Sequence, residues 1–217
     1  MSHGPIQLKP DLYAYYKEVG YREPEPLRKL REHFKDHPQL HMHTAPEIAQ
    51  FLAFLVRIYR PRHIIEIGTF IGYSTLSMAL SMPKNCKLTT CDHDTDLVFQ
   101  AQEIWEQEGH SKTISFKPGP AQDTLARLED LEATADFFYI DADKSGYNRY
   151  YETAMRLSEP GALILFDNTL AAGQITSDDP RPYVRSLQKL NKKIHADPRV
   201  DMLLLSFGDG LTIVQKL

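Results

Sequence analysis

From His63 onward the chain alternates short apolar runs with longer amphipathic stretches, and this alternation limits the possible folds more than any other feature. The runs HIIEIG, KLTTCD, TISFKPG, ADFFYIDA, ALILFDN, VDMLLLS and GLTIVQKL read as strands. Between them, YSTLSMALSM, TDLVFQAQEIWEQEG, AQDTLARLEDL, NRYYETAMRLS and RPYVRSLQKLNKKI read as helices. Leu97, Val98, Ala101, Ile104 and Trp105 share one face of the second helix, and Gly109 closes it. Strands separated by helices require right-handed crossovers and a mainly parallel sheet covered on both faces. Only the hairpin-sized FGDG separates the last two strands, so at least one strand must run antiparallel.

Ahead of the sheet, residues 1–60 read as a helical cover, and residues 61–217 as the α/β core of the same single domain. Asp11 is placed to cap LYAYYKEVG, and Pro24 opens PEPLRKLREHF. Thr44 is placed to cap APEIAQFLAFLVRIY, with Glu47 completing a capping box. A chain of 217 residues is long enough for one complete core, and 42% hydrophobic with 25% charged residues is a globular rather than disordered balance. No apolar stretch approaches the ~18 residues of a membrane span and no signal-peptide core opens the chain, so a cytoplasmic location is expected. Cys86 and Cys91 flank one strand at odd spacing, which argues against a disulfide between them, and neither belongs to a CxxC metal pair. The net charge of −4 argues against general nucleic-acid binding.

Ligands of open α/β sheets sit beyond the carboxyl ends of the strands, so the residues there carry the chemistry. The first strand ends in EIGTFIGYS, where Gly68 and Gly72 permit close backbone approach but in a G-x-x-x-G spacing that lacks the dinucleotide fingerprint. Glu66 puts a carboxylate where a phosphate would be repelled. Asp92 ends the second strand 24 residues after Gly68, placed to accept hydrogen bonds from both hydroxyls of a ribose. Together these suggest a nucleoside carrying positive charge, such as S-adenosylmethionine; a plain tight turn with Asp92 capping the next helix is the other reading.

YIDADK and LILFDN close two strands separated by one helix, so Asp141, Asp167 and Asn168 are expected to project oxygens into one space. Three hard oxygen donors favour Mg²⁺, Mn²⁺ or Ca²⁺ over zinc, whereas each alone is also a common turn cap. Lys144, three residues beyond Asp141, either faces that site as a proton acceptor or pairs at the surface with Asp143. His37, His41 and His43 of HPQLHMH have no acidic or cysteine partner in pattern and read as surface or packing residues. His93 stands beside the ribose acid.

As a set, EIGTFIGYS, CDHD, GPA, YIDADKSGYNRYY, LFDN and DPRVDMLLLSFGDGLTIV resemble the cation-dependent O-methyltransferases, the class that includes caffeoyl-CoA and catechol O-methyltransferases. The resemblance covers essentially the whole chain, YREPEPLRKLREHF included. It implies a Rossmann-like class I methyltransferase fold: a seven-stranded, mostly parallel sheet with one antiparallel strand and helices on both faces. It implies S-adenosylmethionine as donor, with Thr44, Glu66, Gly68, Thr69, Ser74, Asp92, Ala121 and Asp143 at donor-binding positions. Asp141, Asp167 and Asn168 match the ligands of a divalent cation, Lys144 the family's proposed base, and a homodimer is implied as well.

The activity implied is methyl transfer to a catechol-like small molecule. The alternative is a hydroxylated uridine in tRNA, for which Lys189, Lys192 and Lys193 offer a basic cluster that reads equally as the solvated face of a helix. A non-catalytic nucleoside-binding module is disfavoured because every proposed cation ligand and Lys144 are present. After LFDN, TLAAG supplies Ala171 and Ala172 where the plant acyl-CoA enzymes carry an aromatic and then a polar substrate contact, which argues against caffeoyl-CoA itself. Acceptor specificity is expected to reside in QITSDDPRP.

Overall fold

The structure, a computed structural model, describes residues 8–178 and 180–217; Asp179 of the expected specificity segment lies outside them. The chain opens with α1 (Pro10–Val19), α2 (Glu25–His33), a 3-10 turn at Leu40–Met42, and α3 (Pro46–Tyr59). Neither expected side-chain cap forms, because prolines start these helices. Pro10 opens α1 with Asp11 inside its first turn, and Ala45 precedes Pro46 at the start of α3. A proline in the first turn removes an N–H that no helical carbonyl would accept and presets φ, so the helix starts without a hydroxyl or carboxylate cap. Glu47 instead accepts from the Tyr13 hydroxyl at 3.1 Å, and its Oε2 has no partner.

The core follows as β1 (His63–Ile67), α4 (Tyr73–Ala79), β2 (Lys87–Asp92), α5 (Asp96–Gln107), β3 (Ile114–Pro118), α6 (Ala121–Asp130), β4 (Phe137–Ile140), α7 (Tyr147–Leu157), β5 (Leu163–Phe166), α8 (Pro182–Ala196), β6 (Val200–Leu205) and β7 (Leu211–Lys216). These strands form one seven-stranded sheet in the order β3-β2-β1-β4-β5-β7-β6. It is parallel except for β7, which runs antiparallel to both β5 and β6, as the short FGDG connection requires. The chain steps outward from β1 to β2 and β3, then returns to place β4 on the other side of β1. That reversal opens a crevice at the carboxyl ends of β1 and β4.

Strand residues alternate between two buried layers. Ile64, Leu88, Phe137, Tyr139 and Leu165 face α2, α3, α4 and α5, while Ile65, Ile67, Phe138, Ile140 and Ile164 face α6, α7 and α8. The cover thus shares the first layer with the sheet. Gly109 follows α5 in the left-handed conformation at φ +79°, as its closing position demands. Cys86 and Cys91 are buried and free.

The first layer contains a polar row. Thr90, Glu66 and Tyr139 stand in register across β2, β1 and β4. Glu66 is fully buried and accepts from Ser74 Oγ at 2.6 Å, Thr75 Oγ1 at 2.5 Å and Thr90 Oγ1 at 2.7 Å. With the Thr90 proton committed to Glu66, Thr69 donates to Thr90 at 2.6 Å. One carboxylate therefore ties β1, β2 and the first turn of α4 together. Burial pushes Glu66 up, three hydroxyl donors pull it down, and the balance lies at about 7.

Two tests follow from this packing. Gly72 starts α4 at φ +70°, and a Cβ there would lie 2.3 Å from Trp105 Cζ2. Gly72→Ala should destabilise by about 2–5 kcal/mol, combining the left-handed penalty with overpacking, as read from urea unfolding followed by the fluorescence of Trp105. An unchanged midpoint would contradict this contact. The folded chain also holds the Glu66 proton up to about pH 7, where the unfolded chain releases it near 4.5. Stability should therefore fall as pH rises through that window, by up to about 3 kcal/mol, and Glu66→Gln should flatten the decline. Thermal midpoints at pH 5 and pH 7.5 decide this, and an unchanged slope in the variant would show that Glu66 is not its source.

Candidate active site

Gly68 ends β1 at φ +98°, and a Cβ there would lie 2.2 Å from the Asp141 carbonyl oxygen. Only glycine lets the ends of β1 and β4 come this close. The ladder continues past the strands: the Asp141 N–H donates to the Ile67 carbonyl at 2.8 Å, and the Asp167 N–H to the Ile140 carbonyl at 3.0 Å. Asp141 and Asp167 consequently stand at adjoining strand ends, on β4 and β5, which pair directly. They open with the Gly68–Gly72 loop onto a single cleft of about 1110 Å³.

Every expected site residue except Glu66 lines this cleft. Thr44, Gly68, Thr69, Ser74, Asp92 and Ala121 lie along it with Asp143, and Asp141, Lys144, Asp167 and Asn168 share the same space. Glu66 sits two residues below Gly68, sealed under the loop that its hydroxyl donors hold. Asp92 does not cap α5, which begins at Asp96. Its Oδ2 accepts from the Thr69 and Phe70 backbone N–H groups, each at 2.8 Å, and its Oδ1 accepts from Asp94 N–H at 3.0 Å and faces His93 Nδ1 at 3.3 Å. The acid is thereby fixed at the cleft wall. Phe70 takes φ +50°, a strained conformation for a bulky residue, which directs its N–H to Asp92.

On the β4 side, Lys144 pairs with Asp141 rather than Asp143: Nζ donates to Asp141 Oδ1 and to the Tyr147 hydroxyl, both at 2.8 Å. The tight turn after β4 carries Lys144 back over the strand end, while Asp143 accepts from the Ser145 and Tyr150 hydroxyls. Tyr147 in turn donates to the Ile140 and Asp167 carbonyls at 3.1 Å. Asp167 is 4% exposed and uses both oxygens, accepting from Asn168 N–H at 2.8 Å and the Tyr139 hydroxyl at 2.6 Å. Burial, and then the charge of Asp141, pushes its carboxyl above the usual carboxylate range. Asn168 holds φ +58°, which asparagine tolerates better than most residues. No group of three His, Cys, Asp or Glu side chains suited to a metal occurs among the described residues; the set here is two carboxylates and one amide. Facing carboxylates at a buried site with lone pairs still to offer suit a hard divalent cation.

Several cleft residues escaped the sequence-based expectations. His41 and His43 line it, and His43 stacks on Tyr73 at 5.1 Å while its Nδ1 donates to the Thr44 carbonyl at 2.7 Å. Tyr73 donates to Glu23 at 2.6 Å, and Glu23 grips Arg31, so the cover is bonded to the first residue of α4. The YS after Gly72 was the available signal. Tyr150, about one turn into α7, is another such residue. Asp209 of the FGDG turn lines the cleft and accepts from the Ala172 N–H. Away from the cleft, Lys193 is committed to Glu152 at 2.8 Å and lies over the Tyr151 ring, so the basic cluster of α8 reduces to the exposed Lys189 and Lys192.

A sequence profile of the O-methyltransferase family matches residues 17–217. The chain is 34% identical over 229 residues to Caffeoyl-CoA O-methyltransferase 1 of Arabidopsis thaliana, covering 100% of this chain and 88% of that protein. Its fold is similar to that of the O-methyltransferase from Bacillus cereus in complex with SAH, at TM-score 0.85 and 28% identity over 94% of this chain and 96% of that one. It is similar as well to the O-methyltransferase TomG of Streptomyces achromogenes, involved in tomaymycin synthesis and solved in complex with SAM, at TM-score 0.85 and 25% identity over 95% and 96% of the two chains. With the Gly68–Gly72 loop, Asp92 and the strand-end carboxylates opening on one cleft, the chain belongs to the O-methyltransferase family and is an S-adenosylmethionine-dependent O-methyltransferase.

Proposed function

We propose that this enzyme methylates one hydroxyl of a catechol-like small molecule and depends on a divalent cation, Mg²⁺ or alternatively Mn²⁺ or Ca²⁺, to do so. The observation that carries this is the convergence of Asp141, Asp167 and Asn168 on the cleft that also holds the Gly68–Gly72 loop and Asp92. Asp141, Asp167 and Asn168 would hold the cation. When bound, a divalent cation lowers the pKa of a chelating hydroxyl and fixes two adjacent acceptor oxygens.

The remaining work falls to the protein's own groups. Asp92, locked by the loop amides, turns its remaining lone pairs to the donor's ribose. Thr44, Gly68, Thr69, Ser74, Ala121 and Asp143 bind and orient the rest of the donor along the cleft wall. Lys144 Nζ, which donates two of its three N–H groups to Asp141 and Tyr147, directs the third at the acceptor oxygen to steady its negative charge or exchange its proton. Holding the two reactants in one site supplies much of the acceleration.

A homodimer and a cytoplasmic location belong to the same proposal. Exposed Phe54 and Ile58, one turn apart on α3, offer a second copy an apolar face, and no helix among the described residues is long and apolar enough to cross a membrane. The exposed lysines of α8 do not favour a tRNA acceptor, since Lys193 is engaged within the fold.

Methyl transfer from labelled donor to catechols, with simple monohydroxy phenols as controls, tests this directly. Activity should require the vicinal pair, vanish in EDTA and return with Mg²⁺, and Asp141→Ala should lower turnover at least about 100-fold. Turnover that survives complete chelation would contradict the cation's role.

A further inference from the structure

The Tyr139 hydroxyl occupies a position that neither the donor loop nor the cation ligands require. Tyr139 is fully buried on the cover-facing side of β4, in register with Glu66, and its ring packs in the layer shared with α3. Its hydroxyl donates to Asp167 Oδ2 at 2.6 Å. A hydroxyl has one proton, and a carboxylate only accepts, so that proton is committed to Asp167. The bond runs from β4 to the acid at the end of the neighbouring strand, β5.

This contact restrains Asp167 in a way its neighbours do not. The backbone of Asn168 holds only Oδ1. Without the Tyr139 hydroxyl, Oδ2 would be free to rotate away from the space it shares with Asp141 and Asn168. The contact is buried and short, in the range of charge-assisted O–H···O⁻ bonds. Hydrogen bonds to a ligating carboxylate from beyond the metal set its orientation, and their loss lowers metal affinity about 10- to 100-fold.

We propose that Tyr139 is a positioning residue that orients Asp167 for the cation. Resting on the cation site proposed above, this extends it to a residue that touches no cation.

The test is the Mn²⁺ affinity of the full chain, read from the loss of the free-ion EPR signal with no donor or acceptor added. Tyr139→Phe preserves the ring and removes only the hydroxyl; its affinity should fall about 10- to 100-fold with the thermal midpoint near that of the parent. Parent-like affinity in Tyr139→Phe overturns the proposal. Should Tyr139→Phe fail to fold, Tyr139→Met, which also lacks the hydroxyl but fills the site with a pliant side chain, takes its place, and parent-like affinity there overturns the proposal equally. A parent protein that binds no Mn²⁺ overturns the cation site itself, a separate failure.

Discussion

The ends of β1 and β4 meet where there is no room for a side chain: a Cβ on Gly68 would lie 2.2 Å from the Asp141 carbonyl oxygen. Everything else in the site depends on that approach. It sets the loop that starts at Gly68 directly against the turn that carries Asp141, Asp143 and Lys144. Strand pairing then brings β5 and its Asp167 and Asn168 alongside. The two proposed subsites, one for a nucleoside and one for a cation, thus share a cleft without any long loop reaching between them.

Holding that junction closed requires polar groups deep in the sheet, where each is costly unless paired. Glu66 is paired with three hydroxyls, and Asp167 with a backbone amide and the Tyr139 hydroxyl. These bonds run sideways between β1 and β2 and between β4 and β5, and outward to α4. The cover is joined to the start of α4 through Tyr73, Glu23 and Arg31.

Much of this was legible in the sequence because strand ends are marked by composition. The apolar runs stop at GT, CD, DADK and DN, and the alternation of strand with helix already required β4 and β5 to be close. The sheet, its single antiparallel strand and the gathering of eleven of the twelve expected site residues, all but Glu66, on one cleft needed no long-range information. What failed depended on local competition or on side-chain reach. Asp11 and Thr44 resemble helix caps, but the adjoining Pro10 and Pro46 start the helices instead. Lys144 has a carboxylate next to it in sequence and another three residues back, and only the fold of the turn selects Asp141. Glu66 carries a charge at a strand end, yet strand periodicity points it into the layer beneath the loop rather than into the cleft. Tyr139 reads in the sequence as one more aromatic core residue; its polar end acquires meaning only when β4 lies beside β5 and brings Asp167 within reach.

The central claim is that donor and cation occupy adjoining parts of one cleft built from the ends of β1, β2, β4 and β5. Anomalous diffraction from crystals grown with S-adenosylhomocysteine and Mn²⁺ tests it most directly. The account predicts one strong manganese peak within ligand distance of Asp141, Asp167 and Asn168, with the nucleoside lying along the Gly68–Gly72 loop and its ribose on Asp92. Manganese bound elsewhere, or a nucleoside-filled cleft with no metal at those three residues, would contradict it.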